Sequence, residues 1–182
     1  SGQILAIAWG TTISEIASDL IPKRVPGLRI VQLNGSGNTY TPDNRYAANI
    51  LQHFAQNYEA SVMLFPVPTF FDYRETKEAM WRERSVRRII DLQQNANILL
   101  YSIGAVDAGV PSHVYSKGYL DPEDMEELHR EDVIGDLATV FFREDGTWDD
   151  IPLNQRASGP PLTLYRQVDR AICVVSGRNK VP

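Results

Sequence analysis

The chain has 182 residues, with 18 Lys and Arg against 23 Asp and Glu, so its formal net charge at pH 7 is −5. This acidic balance argues against nucleic-acid binding by the segment itself, because nucleic acids are bound by basic surfaces. Neither an apolar run of about 18 residues nor a charged-then-apolar leader is present, so neither a membrane span nor a secretory signal is predicted. The single cysteine, Cys173, excludes an internal disulfide and a cysteine-built zinc site. We therefore expect a reduced, cytoplasmic domain.

Short apolar segments alternate with amphipathic segments along the chain. Strands are predicted at 4–8, 28–33, 61–66, 97–104, 137–142 and 171–175, with Cys173 as an inert core residue of the last. Helices are predicted at 11–20, 43–58, 74–92 and from 122 onward, and residues 112–119 are expected to form a loop or a short helical turn. Thr11, Thr12 or Ser14 is expected to cap the first helix, and Asp121 the last. The alternation predicts an α/β fold with a mostly parallel sheet and helices on both faces.

Polar turns that contain glycine follow four of the predicted strands, at 9–12, 34–38, 104 and 176–180. Ligands of open parallel sheets bind at the carboxyl ends of the strands. The turn at 9–12 places two hydroxyls and free backbone amides at a helix start, and the turn at 176–180 adds two cationic side chains. The two turns predict binding of a phosphorylated small molecule, with ordinary capping and loop chemistry as the alternative. The phosphate is assigned to Gly10, Thr11, Thr12, Gly177, Arg178 and Lys180.

Two other residues carry candidate chemistry. Lys77 follows an aromatic stretch, and an amine desolvated beside Trp81 would be a nucleophile toward an aldehyde. The sequence alone favours the alternative, a solvated lysine with acidic neighbours on a charged helix. Asp136 precedes a hydrophobic strand, where it either accepts hydrogen bonds from sugar hydroxyls or closes a turn. The three histidines lack the spacing of metal ligands, so neither a metal nor a cofactor is predicted.

Several short motifs occur together in an order that resembles one protein family. They are Trp9-Gly10-Thr11-Thr12, Val31-Gln32-Leu33-Asn34-Gly35, Ser102-Ile103-Gly104, Gly118-Tyr119-Leu120, Ile134-Gly135-Asp136, Asn154-Gln155-Arg156 and Ser176-Gly177-Arg178-Asn179-Lys180. Together they resemble the effector-binding domain of SorC-type bacterial transcription regulators, most of all the deoxyribonucleoside regulator branch. The resemblance covers nearly the whole chain and rests on the order and spacing of the motifs.

This resemblance implies a Rossmann-like fold akin to sugar-phosphate isomerases and CoA transferases. It also implies a domain spanning 1–182 that binds a phosphorylated sugar without turning it over, and that assembles into a homodimer or tetramer. Operator DNA would be bound through an N-terminal helix-turn-helix domain, which is expected to be absent from the present sequence. The family also continues beyond the Lys180 turn, so the C-terminal end of the domain is expected to be missing.

The resemblance also implies roles for individual residues. The turn at Gly10, Thr11 and Thr12 matches the family's phosphate-binding turn, and Lys180 would contact the effector. Lys77 matches the region in which a lysine forms an imine with open-chain deoxyribose 5-phosphate. The positions assigned to the sugar are Asn34, Gly35, Lys77, Gly104 and Asp136.

Three functions remain open at this point. The first is a sensor of deoxyribose 5-phosphate or a similar sugar phosphate, which alters oligomeric state and operator binding. The second is an isomerase-like or aldolase-like enzyme that uses Lys77 and Asp136. The third is a structural oligomerisation module with an empty pocket.

Overall fold

The computed structural model describes residues 2–38, 45–106, 112–116, 118–177 and 180. Its strands are β1 (Ile4–Ile7), β2 (Arg29–Gln32), β3 (Ser61–Met63), β4 (Ile98–Tyr101), β5 (Ile103–Ala105), β6 (Val133–Leu137), β7 (Val140–Arg143) and β8 (Arg170–Cys173). Its helices are α1 (Thr11–Ser18), α2 (Tyr46–Tyr58), α3 (Arg74–Arg82), α4 (Arg84–Gln94), α5 (His113–Ser116), α6 (Pro122–Arg130) and α7 (Leu164–Gln167), with a 3-10 helix at Pro152–Gln155. Within these ranges, no helix has the length and apolar character needed to cross a membrane.

Five strands form a parallel sheet in the order β3-β2-β1-β4-β8. The chain moves from β1 to β2 and β3 on one side, whereas β4 and β8 lie on the other side of β1. The connections that leave β1 and β4 therefore diverge, which opens a crevice beyond the carboxyl ends of these two strands. A reversal of this kind is where open α/β sheets bind their ligands.

Alternating side chains of β1 face two hydrophobic layers. Ile4 and Ala6 belong to a cluster that includes Val86 and Ile89 of α4. Leu5 and Ile7 face the other way, into a cluster with α1 and α2 that includes Phe54, whose side chain is 2% exposed. This burial on both faces explains why β1 is continuously apolar. The predicted Rossmann-like α/β architecture is confirmed.

A second, antiparallel sheet in the order β5-β6-β7 lies next to the first. Its apolar face packs with Leu128 of α6 and with Leu153 of the 3-10 helix around Phe141. Asp121 caps α6 as predicted, because its Oδ1 accepts a 2.8 Å hydrogen bond from the Asp124 amide. The small sheet delivers β5 and β6 to the same edge at which β1 and β4 end.

Three predicted elements are each divided in the structure. The single helix predicted at 74–92 is wrong, because Glu83 adopts an extended backbone (φ −66°, ψ 135°) between α3 and α4. The strand predicted at 97–104 is interrupted at Ser102, so that β4 and β5 belong to different sheets. The strand predicted at 137–142 contains a turn, since Ala138 and Thr139 have φ of 47° and 69°. This turn separates β6 from β7.

Two predictions about local environment are also wrong. Cys173 is exposed instead of lying in the core, because β8 is the last strand of the parallel sheet in the described residues. None of the predicted hydroxyls caps α1, which starts after Gly10 without a side-chain cap. Residues 112–119 include the four-residue helix α5, in agreement with the predicted short helical turn. Residues 43 and 44, at the start of the second predicted helix, lie outside the described residues.

Candidate functional site

A pocket lies at the carboxyl ends of β1 and β4, in the crevice where the strand order reverses. We refer to it as the sheet-edge pocket. Its lining residues are Ala8, Trp9, Gly10, Thr11, Thr12, Asn34, Ser102, Ile103, Gly104, Ser112, His113, Val114, Asp136, Ala138, Thr139 and Lys180. It therefore brings together the first predicted phosphate turn, Lys180 and three of the predicted sugar-binding residues.

The N-terminus of α1 forms one wall of the pocket. Because no side chain caps this helix, no threonine or serine hydroxyl occupies the amides of its first turn. Unsatisfied amides and the helix dipole both favour an anion at this position. Lys180 lines the same pocket and adds a positive charge. Arg178, also assigned to the phosphate, lies outside the described residues. Gly177 is exposed and does not line the pocket, although its carbonyl accepts a 3.3 Å hydrogen bond from the Lys180 amide.

Two buried oxygen atoms in the pocket have no protein partner among the described residues. They are Asn34 Oδ1 and Ser102 Oγ. Asn34 is only 1% exposed, and its backbone carbonyl is already used, since it accepts hydrogen bonds from Trp9 Nε1 and Gln32 Nε2. Buried polar atoms normally find partners, and leaving one unpaired costs about 1–3 kcal/mol. Both residues line the pocket, so a ligand or a rearrangement of the pocket would have to supply the missing partners.

Asp136 presents a buried carboxylate to the pocket. Its Oδ1 accepts a 2.8 Å hydrogen bond from the Tyr115 hydroxyl, and its Oδ2 accepts one of 3.0 Å from the Thr139 amide. Burial raises the pKa of Asp136, whereas the bonds from Tyr115 and Thr139 and the charge of Lys180 lower it. Gly104 faces this carboxylate across the β5–β6 pair, and any Cβ at that position would overlap Asp136 Oδ1.

Aromatic rings pack around Trp9 and His113, two residues that line the pocket. The His113 and Tyr46 rings stack with 4.4 Å between their centroids and 3° between their planes. Trp9 packs against Tyr119 at 5.3 Å and against the edge of His113 at 6.3 Å. Trp9 Nε1 also donates to the carbonyls of Asn34 and Gly35, which ties the turn after β1 to the turn after β2. These contacts hold two walls of the pocket at a fixed separation.

Gly35, which was assigned to the sugar, does not line the pocket. Its amide donates a 2.8 Å hydrogen bond to Ser158 Oγ, and its carbonyl accepts bonds from Trp9 and Thr69. A Cβ at residue 35 would come within 2.6 Å of the carbonyl oxygens of Val67 and Pro68. Gly35 therefore permits close packing of two backbone segments that support the pocket.

Lys77 lies in a different cavity from Asp136. That cavity is lined by Arg74, Lys77, Glu78, Trp81, Asp149 and Gln155, and it shares no residue with the sheet-edge pocket. Lys77 Nζ donates to the Asn154 carbonyl at 3.3 Å and lies 5.3 Å from the centroid of the Trp81 ring. Desolvation, followed by repulsion from Arg74, lowers the pKa of Lys77 to about 8. The lysine is thus desolvated beside Trp81, the environment that an amine nucleophile requires and that the sequence alone did not favour.

The sequence analysis gave no ligand-binding role to several residues that line or support the pocket. They are Trp9, Ser102, Ser112, His113, Tyr115 and Thr139. Ser102 gave no signal in the sequence, because the strand was predicted to continue through it to residue 104. The hydrogen bonds that Tyr115 and Thr139 donate to Asp136 also leave no signal in the sequence. Among the described residues, no three His, Cys, Asp or Glu side chains lie close enough to hold a metal ion.

Comparison with known proteins adds a family to this geometry. The family model described as "Putative sugar-binding domain" matches residues 1–182. The chain is 33% identical over 181 residues to the deoxyribonucleoside regulator of Bacillus subtilis (strain 168), covering 99% of this chain and 56% of that protein. The chain therefore spans about half the length of this curated relative.

Solved structures show the same fold. A domain of "a possible sugar-binding transcriptional regulator" from Arthrobacter aurescens TC1 superposes with a TM-score of 0.91 at 49% identity, covering 99% of this chain and 68% of that one. The full-length sorbitol operon regulator SorC from Klebsiella pneumoniae gives a TM-score of 0.85 at 18% identity, covering 98% and 56%. The second likeness bears on the fold alone.

Proposed function

The chain belongs to the family of sugar-binding domains that occur in SorC-type transcription regulators, and we propose that it senses a phosphorylated sugar, deoxyribose 5-phosphate or a close analogue. The ligand occupies the sheet-edge pocket. Its phosphate lies at the N-terminus of α1 beside Lys180, and its hydroxyls face Asn34, Ser102 and Asp136.

The observation that carries this proposal is the pair of buried, unpartnered oxygens, Asn34 Oδ1 and Ser102 Oγ. An amide oxygen accepts hydrogen bonds only, and a serine hydroxyl both donates and accepts. Together with the Asp136 carboxylate they provide acceptors for several hydroxyl groups within one pocket. The uncapped helix start and Lys180 supply the complementary site for an anion. A molecule with hydroxyls at one end and a phosphate at the other satisfies both halves.

The proposed mechanism is differential affinity without chemical turnover. A ligand that binds one conformation or assembly better than another shifts the population toward it. In the proposed full-length regulator, a homodimer or tetramer, this shift changes operator binding through a helix-turn-helix domain outside the present chain. The names of the relatives support this role, since two of them are described as transcriptional regulators and a third as a deoxyribonucleoside regulator.

Lys77 is proposed as a separate reactive amine. Its lowered pKa and its contact with Trp81 support imine formation with an aldehyde. The enzyme alternative required Lys77 and Asp136 to act on one substrate, yet the two residues line different cavities. No observation favours that alternative over a sensor.

The test is isothermal titration of the protein with deoxyribose 5-phosphate, ribose 5-phosphate, deoxyribose and inorganic phosphate. We expect submicromolar to micromolar binding of a sugar phosphate and at least tenfold weaker binding of deoxyribose, because deoxyribose leaves the anion site empty. Lys180→Met should weaken binding of the phosphate ester far more than binding of deoxyribose. Lys23→Met, a charge change on the exposed part of the chain, is the matched control and should leave both affinities unchanged.

Two results would overturn the proposal. One is the absence of binding by every sugar phosphate tested, and the other is equal binding of phosphorylated and unphosphorylated sugars. Borohydride reduction followed by peptide mass analysis tests the lysine separately. An adduct on Lys77 supports the imine, whereas binding without any adduct leaves the sensor in place and rejects the imine.

A further inference from the structure

We propose that Tyr115 is a positioning residue for the ligand-binding carboxylate, holding Asp136 in one orientation so that its charge is available to sugar hydroxyls. This inference rests on the proposed function, because it names a residue that acts on the sugar through Asp136. Tyr115 lies outside the set of lining residues of the sheet-edge pocket.

The first support is the division of donors around Asp136. The Tyr115 hydroxyl donates to Oδ1 at 2.8 Å, and the Thr139 amide donates to Oδ2 at 3.0 Å. Each oxygen thus accepts a hydrogen bond from a donor in the described residues, and a carboxylate oxygen has a further lone pair that can accept a ligand hydroxyl. Two donors on different elements, α5 and the β6–β7 turn, fix the plane of the carboxylate. Without Tyr115, the Thr139 amide would be the remaining hydrogen-bond donor to the carboxylate among the residues described.

The second support is the direction from which Tyr115 approaches. Its ring packs against the third hydrophobic cluster, with a centroid 6.3 Å from that of Phe141. The other α5 residues His113 and Val114 line the pocket, whereas Tyr115 faces Asp136 from the side of this cluster. The phenol can therefore keep its bond to Asp136 while a ligand occupies the pocket.

The third support is electrostatic. Asp136 is 5% exposed, and burial disfavours its charged form. In the part of the chain that the structure describes, the groups that act on Asp136 are the Tyr115 hydroxyl of α5, the Thr139 amide and Lys180. The Asp136 charge in turn contributes to the raised pKa of Tyr165 of α7. Tyr115 is first among the groups that lower the Asp136 pKa. Loss of its hydroxyl should leave the carboxyl protonated at higher pH and free to rotate.

The variant that tests this is Tyr115→Phe, which removes one oxygen and keeps the ring. The affinity for deoxyribose 5-phosphate is measured by calorimetry between pH 5 and 8. We expect affinity to fall roughly tenfold or more at neutral pH. We also expect affinity to begin to decline on acidification at a higher pH in the variant than in the parent. Tyr73→Phe is the matched control, because Tyr73 is 68% exposed and does not line the sheet-edge pocket. It should leave the pH profile unchanged.

A second measurement needs no ligand. The pKa of Asp136 is followed through the carboxyl carbon resonance of the labelled, ligand-free protein, and it should be higher in Tyr115→Phe than in the parent. An unchanged pKa overturns the positioning role whether or not the protein binds a sugar. Tighter binding by Tyr115→Phe also overturns it, since the phenol would then compete with the ligand. If the pKa moves but the parent binds no sugar phosphate, the proposed function fails while the Tyr115–Asp136 relationship stands.

Discussion

Gly104 and Asp136 are register partners in the β5–β6 pair, and the absence of a side chain at Gly104 leaves the space that the Asp136 carboxylate fills. The close approach explains why a glycine interrupts an otherwise apolar segment. It also links the second, antiparallel sheet to the ligand site, because β5 begins and β6 ends at the sheet-edge pocket.

Gly104→Ala is expected to displace the carboxylate. The added methyl group overlaps Asp136 Oδ1, so either the side chain rotates away from Tyr115 or β5 moves. Overpacking of this kind costs about 1–3 kcal/mol of unfolding free energy. We expect that loss in urea denaturation, together with loss of sugar-phosphate binding in calorimetry.

The double variant Gly104→Ala/Asp136→Ala provides the control for the Gly104 prediction. The shorter side chain at residue 136 leaves room for the methyl group, so most of the stability should return while binding stays lost. Independent, additive effects of the two substitutions would contradict the overlap as the cause.

Asp136→Asn should stabilise the ligand-free protein at neutral pH while weakening ligand binding. Burial raises the folded-state pKa of Asp136 above its unfolded value, so the ionised form destabilises the fold. The contribution of Asp136 to stability is fully present below the unfolded pKa and is lost as pH rises through the folded pKa. The difference in unfolding free energy between Asp136→Asn and the parent should therefore grow from pH 4 to pH 7. A difference that is constant over this range would show that the pKa of Asp136 is the same in the folded and the unfolded protein.

Ser102→Ala should separate stability from binding. Ser102 Oγ is buried without a partner in the described part of the chain, so its removal should leave the free energy of unfolding unchanged or slightly higher. Affinity for the sugar phosphate should fall by about tenfold if the hydroxyl bonds the ligand. Thermal melts with and without ligand measure both effects.

Ser158→Ala is the matched control for Ser102→Ala. Ser158 Oγ accepts a 2.8 Å hydrogen bond from the Gly35 amide, so truncation strands that buried amide and should cost about 1–3 kcal/mol. If Ser102→Ala destabilises the protein as much as Ser158→Ala, then Ser102 has a structural role that replaces the one proposed.

Much of the fold could be predicted from the sequence because its central elements have clear periodicity. Alternate residues of β1 enter two different apolar layers, and α2 has its apolar residues on one side. The breaks at Glu83 and Ser102 could not be predicted, since neither glycine nor proline occupies those positions. The turn at Ala138 and Thr139 uses a left-handed backbone in residues that rarely adopt it. Tertiary packing maintains these conformations, and local propensity does not reveal them.

The site was predictable to the extent that it depends on strand ends. Gly10, Asn34 and Gly104 follow or end predicted strands, and the structure brings them into one pocket with Asp136, which was predicted to precede a strand. Lys77 lies on α3, and no rule of strand order indicates which cavity a helical residue will line. Its separation from Asp136 depends on how α3 packs beside the 3-10 helix, where Lys77 bonds the Asn154 carbonyl. Such a contact between residues 77 positions apart is not encoded in any local pattern.

Lys77→Met should raise the free energy of unfolding at pH 7. The folded-state pKa of Lys77 is lowered to about 8 from 10.5, chiefly by desolvation, so the unfolded chain binds the proton more tightly. Stability should rise as pH increases from 8 to 10.5, and the penalty is fully present below pH 8. Removing the charge should therefore stabilise the protein by roughly 1–3 kcal/mol at pH 7, with a smaller gain at pH 10. Urea unfolding of both proteins at pH 7, 8.5 and 10 measures this difference, with Lys23→Met as the control for an exposed lysine. A gain for Lys77→Met that does not shrink with rising pH would mean that packing of the methionine against Trp81, and not relief of a desolvated charge, is the cause.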